Sequence, residues 1–347
     1  MKRIILLLLS LPAFLWAQQP YYDDVDLTLR GRDLYLALQQ KIDDAGAGFT
    51  YDDVKDMMKI VDEDPDNHNN VLLIYGYNDS DGNCTTDRTR NKSRFGGGNC
   101  QYNREHVFAR SNANPSMGGA TSRATGIVAD PHNLRPSDQR MNNDRGNRKM
   151  ANGSGNARVL SSSLFYPGDE WKGDVARMMM YMYTRYGNQC LPSLNGSGEL
   201  QPGNDMLKIY LQWNVEDPVN DFEDARNPIL EVIYGNRNPF IDNPYLATII
   251  WGGPVAEDRW GMVNTEDFFA SEVVVYPNPA RDVVWVGTAS SDVIDSYSIY
   301  DTSGRLIQTR KFDYGQKQID VSALSEGVYL LQLSSNGSVV TKKIRIQ

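Results

Sequence analysis

The chain opens on Met1-Lys2-Arg3 and an unbroken apolar run over 4–9, continued through Leu11 and Phe14 to Trp16-Ala17. A positive start, an apolar stretch too short for ~30 Å of hydrocarbon and a small residue at 17 predict an export signal over 1–17. No later stretch approaches the ~20 apolar residues of a membrane helix. Apolar positions instead recur at helical spacing. Leu27, Leu29, Leu34, Leu36 and Ile42 fall largely on one side of a helix predicted over 26–45, and a second helix is predicted over 51–61. Val71-Leu72-Leu73-Ile74-Tyr75 reads as a strand. Val175, Met178, Met179, Met182 and Tyr183 predict a buried helix over 173–186, its methionines forming core; 207–213 and 229–234 add helical material, and 246–251 is a short apolar piece. Near residue 264 the period shortens to two. Strands at 273–276, 283–286, 297–300, 328–333 and 339–346, separated by turn residues, predict a small antiparallel sandwich. The fold class is therefore α+β: a mixed domain over 18–264, a linker over 265–272 and an all-β sandwich over 273–347.

Charge alters this picture locally. The net charge of −9 argues against a polyanionic partner, yet residues 84–185 hold 16 Lys or Arg against 8 Asp or Glu. A concentrated basic region is what a phosphate backbone requires, because each neutralised phosphate releases a counterion. Outside the signal the cysteines are Cys84, Cys100 and Cys190. After export to an oxidising compartment, Cys84 and Cys100 are expected to pair across a short loop, leaving Cys190 over. Asp79-Ser80-Asp81-Gly82-Asn83 resembles part of a calcium loop but lacks the closing Glu, and reads as a polar turn.

The chain has only three histidines, and two sit in dense polar motifs: Asn103-Arg104-Glu105-His106-Val107-Phe108 and Asp130-Pro131-His132-Asn133-Leu134-Arg135-Pro136. Hydrolysing a phosphodiester needs a base for water, a divalent cation and a cationic donor for the developing charge. His106 suits the base, since imidazole titrates near working pH. Glu105 is a hard oxygen donor suited to magnesium. Consecutive strand residues face opposite ways, so a bend is expected where Glu105 and His106 meet one cleft. Met141-Asn142-Asn143-Asp144-Arg145-Gly146-Asn147-Arg148 offers amide oxygen for a cation and guanidinium for phosphate. His68 reads as a loop residue, and Arg177 and Arg237 as buried ion-pair scaffolding. A zinc peptidase is disfavoured, as no His-Glu-x-x-His occurs.

At these motifs, and in 172–177 and 236–242, the sequence resembles the endonuclease I family of the His-Me finger (ββα-metal) superfamily, over roughly 25–255. The resemblance implies that His106 is the general base and that Glu105 and Asn142 hold one Mg²⁺, with Mn²⁺ or Ca²⁺ able to replace it. It implies an arginine on the cleaved phosphate, for which Arg123 is the candidate, with Arg110 and Arg145 behind it. Arg104, Arg110, Arg135, Arg145 and Arg148 are expected to contact DNA or RNA. His132 is left between a structural and a supporting role. Many relatives carry Pro where this chain has Ala109, a change that removes no chemical group. Residues 273–347 resemble the type IX secretion sorting domain through Val275-Tyr276-Pro277-Asn278-Pro279, Tyr300-Asp301-Thr302-Ser303-Gly304-Arg305-Leu306, Leu324-Ser325-Glu326-Gly327-Val328-Tyr329 and Lys342-Lys343-Ile344. That implies the type IX machinery as a partner, passage through the outer membrane, and release or surface attachment. A monomeric secreted nuclease with little sequence preference, leaving 5′-phosphate ends, is thus the leading expectation. Its rival is a catalytically inactive surface protein that binds nucleic acid or adheres.

Overall fold

The computed structural model describes residues 19–262, 273–288, 294–312, 318–335 and 338–347. The expected signal over 1–17 and linker over 265–272 lie outside these residues. The chain divides into two compact units, the first ending at Trp260 and the second starting at Gly261.

In the first unit, α1 (Gly31–Asp43) starts later than the apolar spacing predicts. Asp26 Oδ1 accepts the Thr28 N–H and hydroxyl, a local turn that competes with helix. α2 (Tyr51–Val61) begins on a capping box in which Thr50 and Asp53 satisfy each other's backbone N–H. It leads into an antiparallel sheet of β1 (Glu63–Asp64), β2 (Asn67–Leu72) and β3 (Thr89–Asn91). The strand expected over 71–75 ends at Leu72, because Tyr75 turns the chain at φ 72°. His68, expected in a loop, lies in β2 with Nδ1 2.6 Å from Glu63. Asp79 Oδ1 caps the N–H groups of Arg88 and Thr89 within the polar turn.

β4 (Tyr102–His106) and β5 (Leu134–Asp138) form a two-stranded antiparallel ribbon, and α3 (Gln139–Arg145) follows directly. Asp138 closes the ribbon and caps the helix, accepting from the N–H groups of Arg140 and Met141. A small sheet of β6 (Lys149–Met150), β7 (Arg158–Val159) and β8 (Leu164–Tyr166) comes next. The central helix is α4 (Lys172–Tyr186), buried from Gly173 to Arg185. Around it lie α5 (Pro192–Asn195), α6 (Lys208–Glu216), α7 (Asp221–Tyr234), α8 (Pro239–Asp242) and α9 (Tyr245–Trp251). The buried face of α4 also carries charge. Arg177 pairs with Glu223 of α7 at 2.5 Å, and Asp174 with Arg135 of β5 at 2.9 Å. Arg135 also meets Asp62 at 2.8 Å, and Arg226 shares Asp62 at 3.0 Å, so one buried network joins α2, β5, α4 and α7.

The second unit holds two antiparallel sheets. One is β9 (Val273–Tyr276), β10 (Val283–Thr288) and β13 (Gln318–Asp320). The other is β11 (Ser296–Asp301), β12 (Leu306–Lys311), β14 (Gly327–Ser335) and β15 (Ser338–Ile346). Val284, Val286, Ile299, Leu331, Leu333 and Ile344 belong to one core drawn from both sheets. β12 escaped the sequence pattern because none of its residues is buried, so no apolar alternation marks it.

Breaking a buried ion pair from one side strands the other charge. Arg135→Ala is expected to lower the stability of the first unit by about 3–5 kcal/mol in urea unfolding. The exposed pair of Arg140 with Asp144 should be worth under about 1 kcal/mol in Arg140→Ala.

Candidate active site

A cleft of roughly 340 Å³ opens where β4 and the end of α3 meet the start of α2 and the loop after β4. Its lining includes Arg104, Glu105 and His106, three consecutive residues. The bend expected between Glu105 and His106 is not there: the β4–β5 ladder runs unbroken from Tyr102–Asp138 to His106–Leu134. Residues from both faces of β4 thus line the cleft, and the strand is bonded beyond β5 as well: Tyr102 bridges Phe95, the Arg104 carbonyl accepts from Asn142 and the His106 carbonyl from Arg145.

His106 is 7 % exposed, and its ring stacks on Tyr51 with centroids 5.5 Å apart. Nε2 lies 2.8 Å from the Val128 carbonyl oxygen. A carbonyl oxygen can only accept, so the proton sits on Nε2 and donates there, and Nδ1 keeps its lone pair. No described residue hydrogen-bonds Nδ1. Burial, reinforced by Arg110, Arg104 and Arg145, pushes the imidazole pKa down to about 3, which keeps the ring neutral.

Glu105 Oε1 accepts from the Tyr75 hydroxyl at 3.1 Å and pairs with Arg145 Nη1 at 3.2 Å. Burial pushes its pKa up to about 7, against the opposing pull of Arg145 and Tyr75. Asn142 Nδ2 donates to Asn103 Oδ1 at 2.7 Å and to the Arg104 carbonyl at 3.3 Å. Those bonds use the amide nitrogen and leave Oδ1 available. Among the described residues no group of three or more His, Cys, Asp or Glu could hold a metal. Glu105 Oε2 and Asn142 Oδ1 are instead a sparse pair of hard oxygens, the kind of donor set Mg²⁺ accepts while keeping several waters.

The expected arginines divide sharply. Arg104 and Arg110 line the cleft. Arg104 lies 3.7 Å above the Tyr51 ring, and Arg110 Nη1 donates to the Gly118 carbonyl at 2.7 Å. Arg145 also lines the cleft but is fully buried and donates to the carbonyls of His106 and Val107 and to Asn195. A guanidinium so engaged cannot meet a phosphate, and the same holds for Arg135 between Asp62 and Asp174. Arg148 is spent on the carbonyls of Ser161 and Asp144, outside the cleft. Arg123 is exposed on the loop before the 3-10 turn Gly126–Ala129 and does not line the cleft. Much of the basic excess over 84–185 is therefore interior: Arg90, Arg135, Arg145, Arg177 and Arg185 are all buried.

His132 is buried and does not line the cleft, with Nε2 3.0 Å from Asn236 Oδ1 and its ring 4.4 Å from that of Tyr181. Arg237 pairs with Asp242 at 2.5 Å. Cys84 and Cys100 form a disulfide, and Cys190 is a buried free thiol. Sequence reasoning missed Tyr51, Tyr75 and Asn195. Asn195 accepts from the Ala109 N–H at 3.0 Å, Asn112 at 2.9 Å and Arg145 at 3.2 Å, and donates to Val107 O at 2.9 Å. Nothing in the local pattern at 195 announces that role.

Residues 31–245 match the family described as Endonuclease I, and residues 274–347 the secretion system C-terminal sorting domain. An extracellular ribonuclease of Bacillus subtilis (strain 168) is 39% identical over 215 residues, which cover 58% of this chain and 68% of the relative. An extracellular ribonuclease of Bacillus amyloliquefaciens is 40% identical over 215 residues with the same coverage of each, 58% and 68%. An extracellular deoxyribonuclease of Aeromonas hydrophila is 25% identical over 126 residues, 33% of this chain and 50% of that protein.

Asn195→Ala leaves several buried polar groups around Arg145 unpaired. Thermal or urea unfolding should show a loss of roughly 2–3 kcal/mol, against a negligible change for Arg123→Ala.

Proposed function

The chain belongs to the Endonuclease I family, and from that premise we propose that it hydrolyses phosphodiester bonds of DNA, RNA or both, with a divalent cation, little sequence preference and 5′-phosphate products. It is a secreted or cell-surface protein with a type IX sorting domain at its C-terminal end. The observation that carries the reading is the convergence of a neutral imidazole with an unpartnered Nδ1, a carboxylate and an amide oxygen in one cleft. The names of the relatives favour both substrates, since they include ribonucleases and deoxyribonucleases.

In this reading β4, β5 and α3 are the ββα-metal centre. Glu105 and Asn142 would hold Mg²⁺, or Mn²⁺ or Ca²⁺ in its place, and a bound cation would supply positive charge against the phosphoryl and leaving oxygens. His106 Nδ1 takes the proton of the attacking water, while the Nε2–H bond to Val128 and the Tyr51 ring hold the imidazole plane. Burial is the main cause of the low imidazole pKa, and an anionic phosphate in the cleft offsets the smaller share that comes from the neighbouring guanidiniums. Arg104 and Arg110 grip phosphate oxygens, so Arg110 displaces Arg123 as the favoured partner of the cleaved phosphate. Contacts of this kind read backbone and not bases, hence the low sequence preference. We place the nuclease domain over 18–264, the linker over 265–272 and the sorting domain over 273–347, the last being the part the type IX machinery engages. The enzyme acts as a monomer.

Nicking of supercoiled plasmid and cleavage of RNA by the full chain should require Mg²⁺, stop with chelator and fall at least ~10²-fold in His106→Ala. Folded protein that binds nucleic acid with no cleavage at any cation concentration would favour the inactive surface-protein reading.

A further inference from the structure

Tyr75 occupies a backbone position that suits few side chains. Its φ is 72°, in the left-handed region that a Cβ disfavours and a bulky residue disfavours most. The side chain is nevertheless fully buried, its ring set edge-on to Phe165 with centroids 5.0 Å apart. The chain around it is tightly tied. The Gly76 N–H bonds the Leu73 carbonyl, and Trp171 Nε1 bonds the Gly76 carbonyl at 2.8 Å. Gly76 itself leaves no space for a side chain, since a Cβ there would lie 2.2 Å from the Asp87 carbonyl oxygen. Such over-determined conformations gather where function needs them.

What this turn delivers is a hydroxyl on Glu105. Tyr75 Oη donates to Oε1 at 3.1 Å, and Arg145 Nη1 engages the same oxygen at 3.2 Å. The Tyr75 hydrogen bond and the Arg145 charge both hold Oε1, which leaves Oε2 as the oxygen with no hydrogen-bond partner among the described residues. A carboxylate held this way presents one oxygen to a cation, not two. Small octahedral ions take one carboxylate oxygen at short range, whereas Ca²⁺, with more ligands at longer range, readily takes both.

We propose that Tyr75 is a positioning residue that makes Glu105 a one-oxygen cation ligand and so favours small hard cations over Ca²⁺. The inference rests on the reading of Glu105 and Asn142 as the cation's protein ligands. Partners that orient a metal ligand are commonly worth 10–100-fold in metal affinity.

The test is calorimetric titration of Mn²⁺ alone and of Ca²⁺ alone into the full chain, with no nucleic acid present. Tyr75→Phe keeps the backbone and ring and removes only the oxygen. It should weaken Mn²⁺ binding about tenfold and Ca²⁺ binding clearly less, narrowing the preference between them. Tyr35→Phe, which removes an equally buried hydroxyl donated to the Tyr183 carbonyl outside the cleft, should change neither. Mn²⁺ affinity within about twofold of the parent, an equal loss for both ions, or a Tyr75→Phe chain already unfolded at the titration temperature would each overturn the proposal. Glu105→Gln separates the two levels of the argument. If it leaves Mn²⁺ binding intact, the ligand assignment itself is wrong; if it abolishes binding while Tyr75→Phe does not, only the role of Tyr75 fails.

Discussion

Arg145 is fully buried, and its guanidinium is divided among Glu105, the backbone carbonyls of His106 and Val107, and Asn195. An isolated charge at that depth would be prohibitively costly, so the surrounding acceptors and the carboxylate are there because the charge is, and the reverse. This one side chain fixes the end of β4 relative to α3 and reaches α5 through Asn195. It also counters the burial that raises the Glu105 pKa, helping to keep a carboxylate available in the cleft. The candidate cation ligand and the backbone of the candidate base are thus positioned from below by the same cation.

The interior of the first unit repeats the device at larger scale. Asp62 is shared by Arg135 and Arg226, while Asp130 collects Arg185, Tyr181 and Tyr186 and caps the N–H of His132. These networks orient segments that side-chain packing alone would leave less specified, among them the 3-10 turn Gly126–Ala129, whose Val128 carbonyl accepts the hydrogen bond from His106 Nε2–H. Arginines near the cleft therefore do two unlike jobs. Those with carboxylates or several carbonyls around them hold the scaffold, and those with donors to spare, Arg104 and Arg110, face the cleft.

Much of this was legible in the sequence, and unevenly. Helix α4 announced itself through its spacing and α2 was expected over the residues it occupies, and the change to period two near 264 marked the all-β unit. The motif around Glu105, His106 and Asn142 brought together residues that do line one cleft. Charge counting failed for Arg135 and Arg145, because a sequence reports charge but not depth, and a buried guanidinium looks like a surface one until its partners, here Asp62 and Asp174 or Glu105, are placed in space. Tyr75 was hidden for a related reason: a hydrophobic run reads as strand through its last residue, whereas the left-handed turn there accompanies tertiary contacts the sequence does not show, of Tyr75 with Phe165 and Glu105 and of the Gly76 carbonyl with Trp171.

The central claim is that water, deprotonated at His106, attacks phosphorus in this cleft. End-group analysis of RNA cleaved by the full chain in H₂¹⁸O tests it directly, because attack by water and attack by the ribose 2′-hydroxyl leave different products. The account predicts 5′-phosphate ends carrying one ¹⁸O and free 3′-hydroxyls. Cyclic 2′,3′-phosphates, or 3′-phosphates facing 5′-hydroxyl ends, would contradict it.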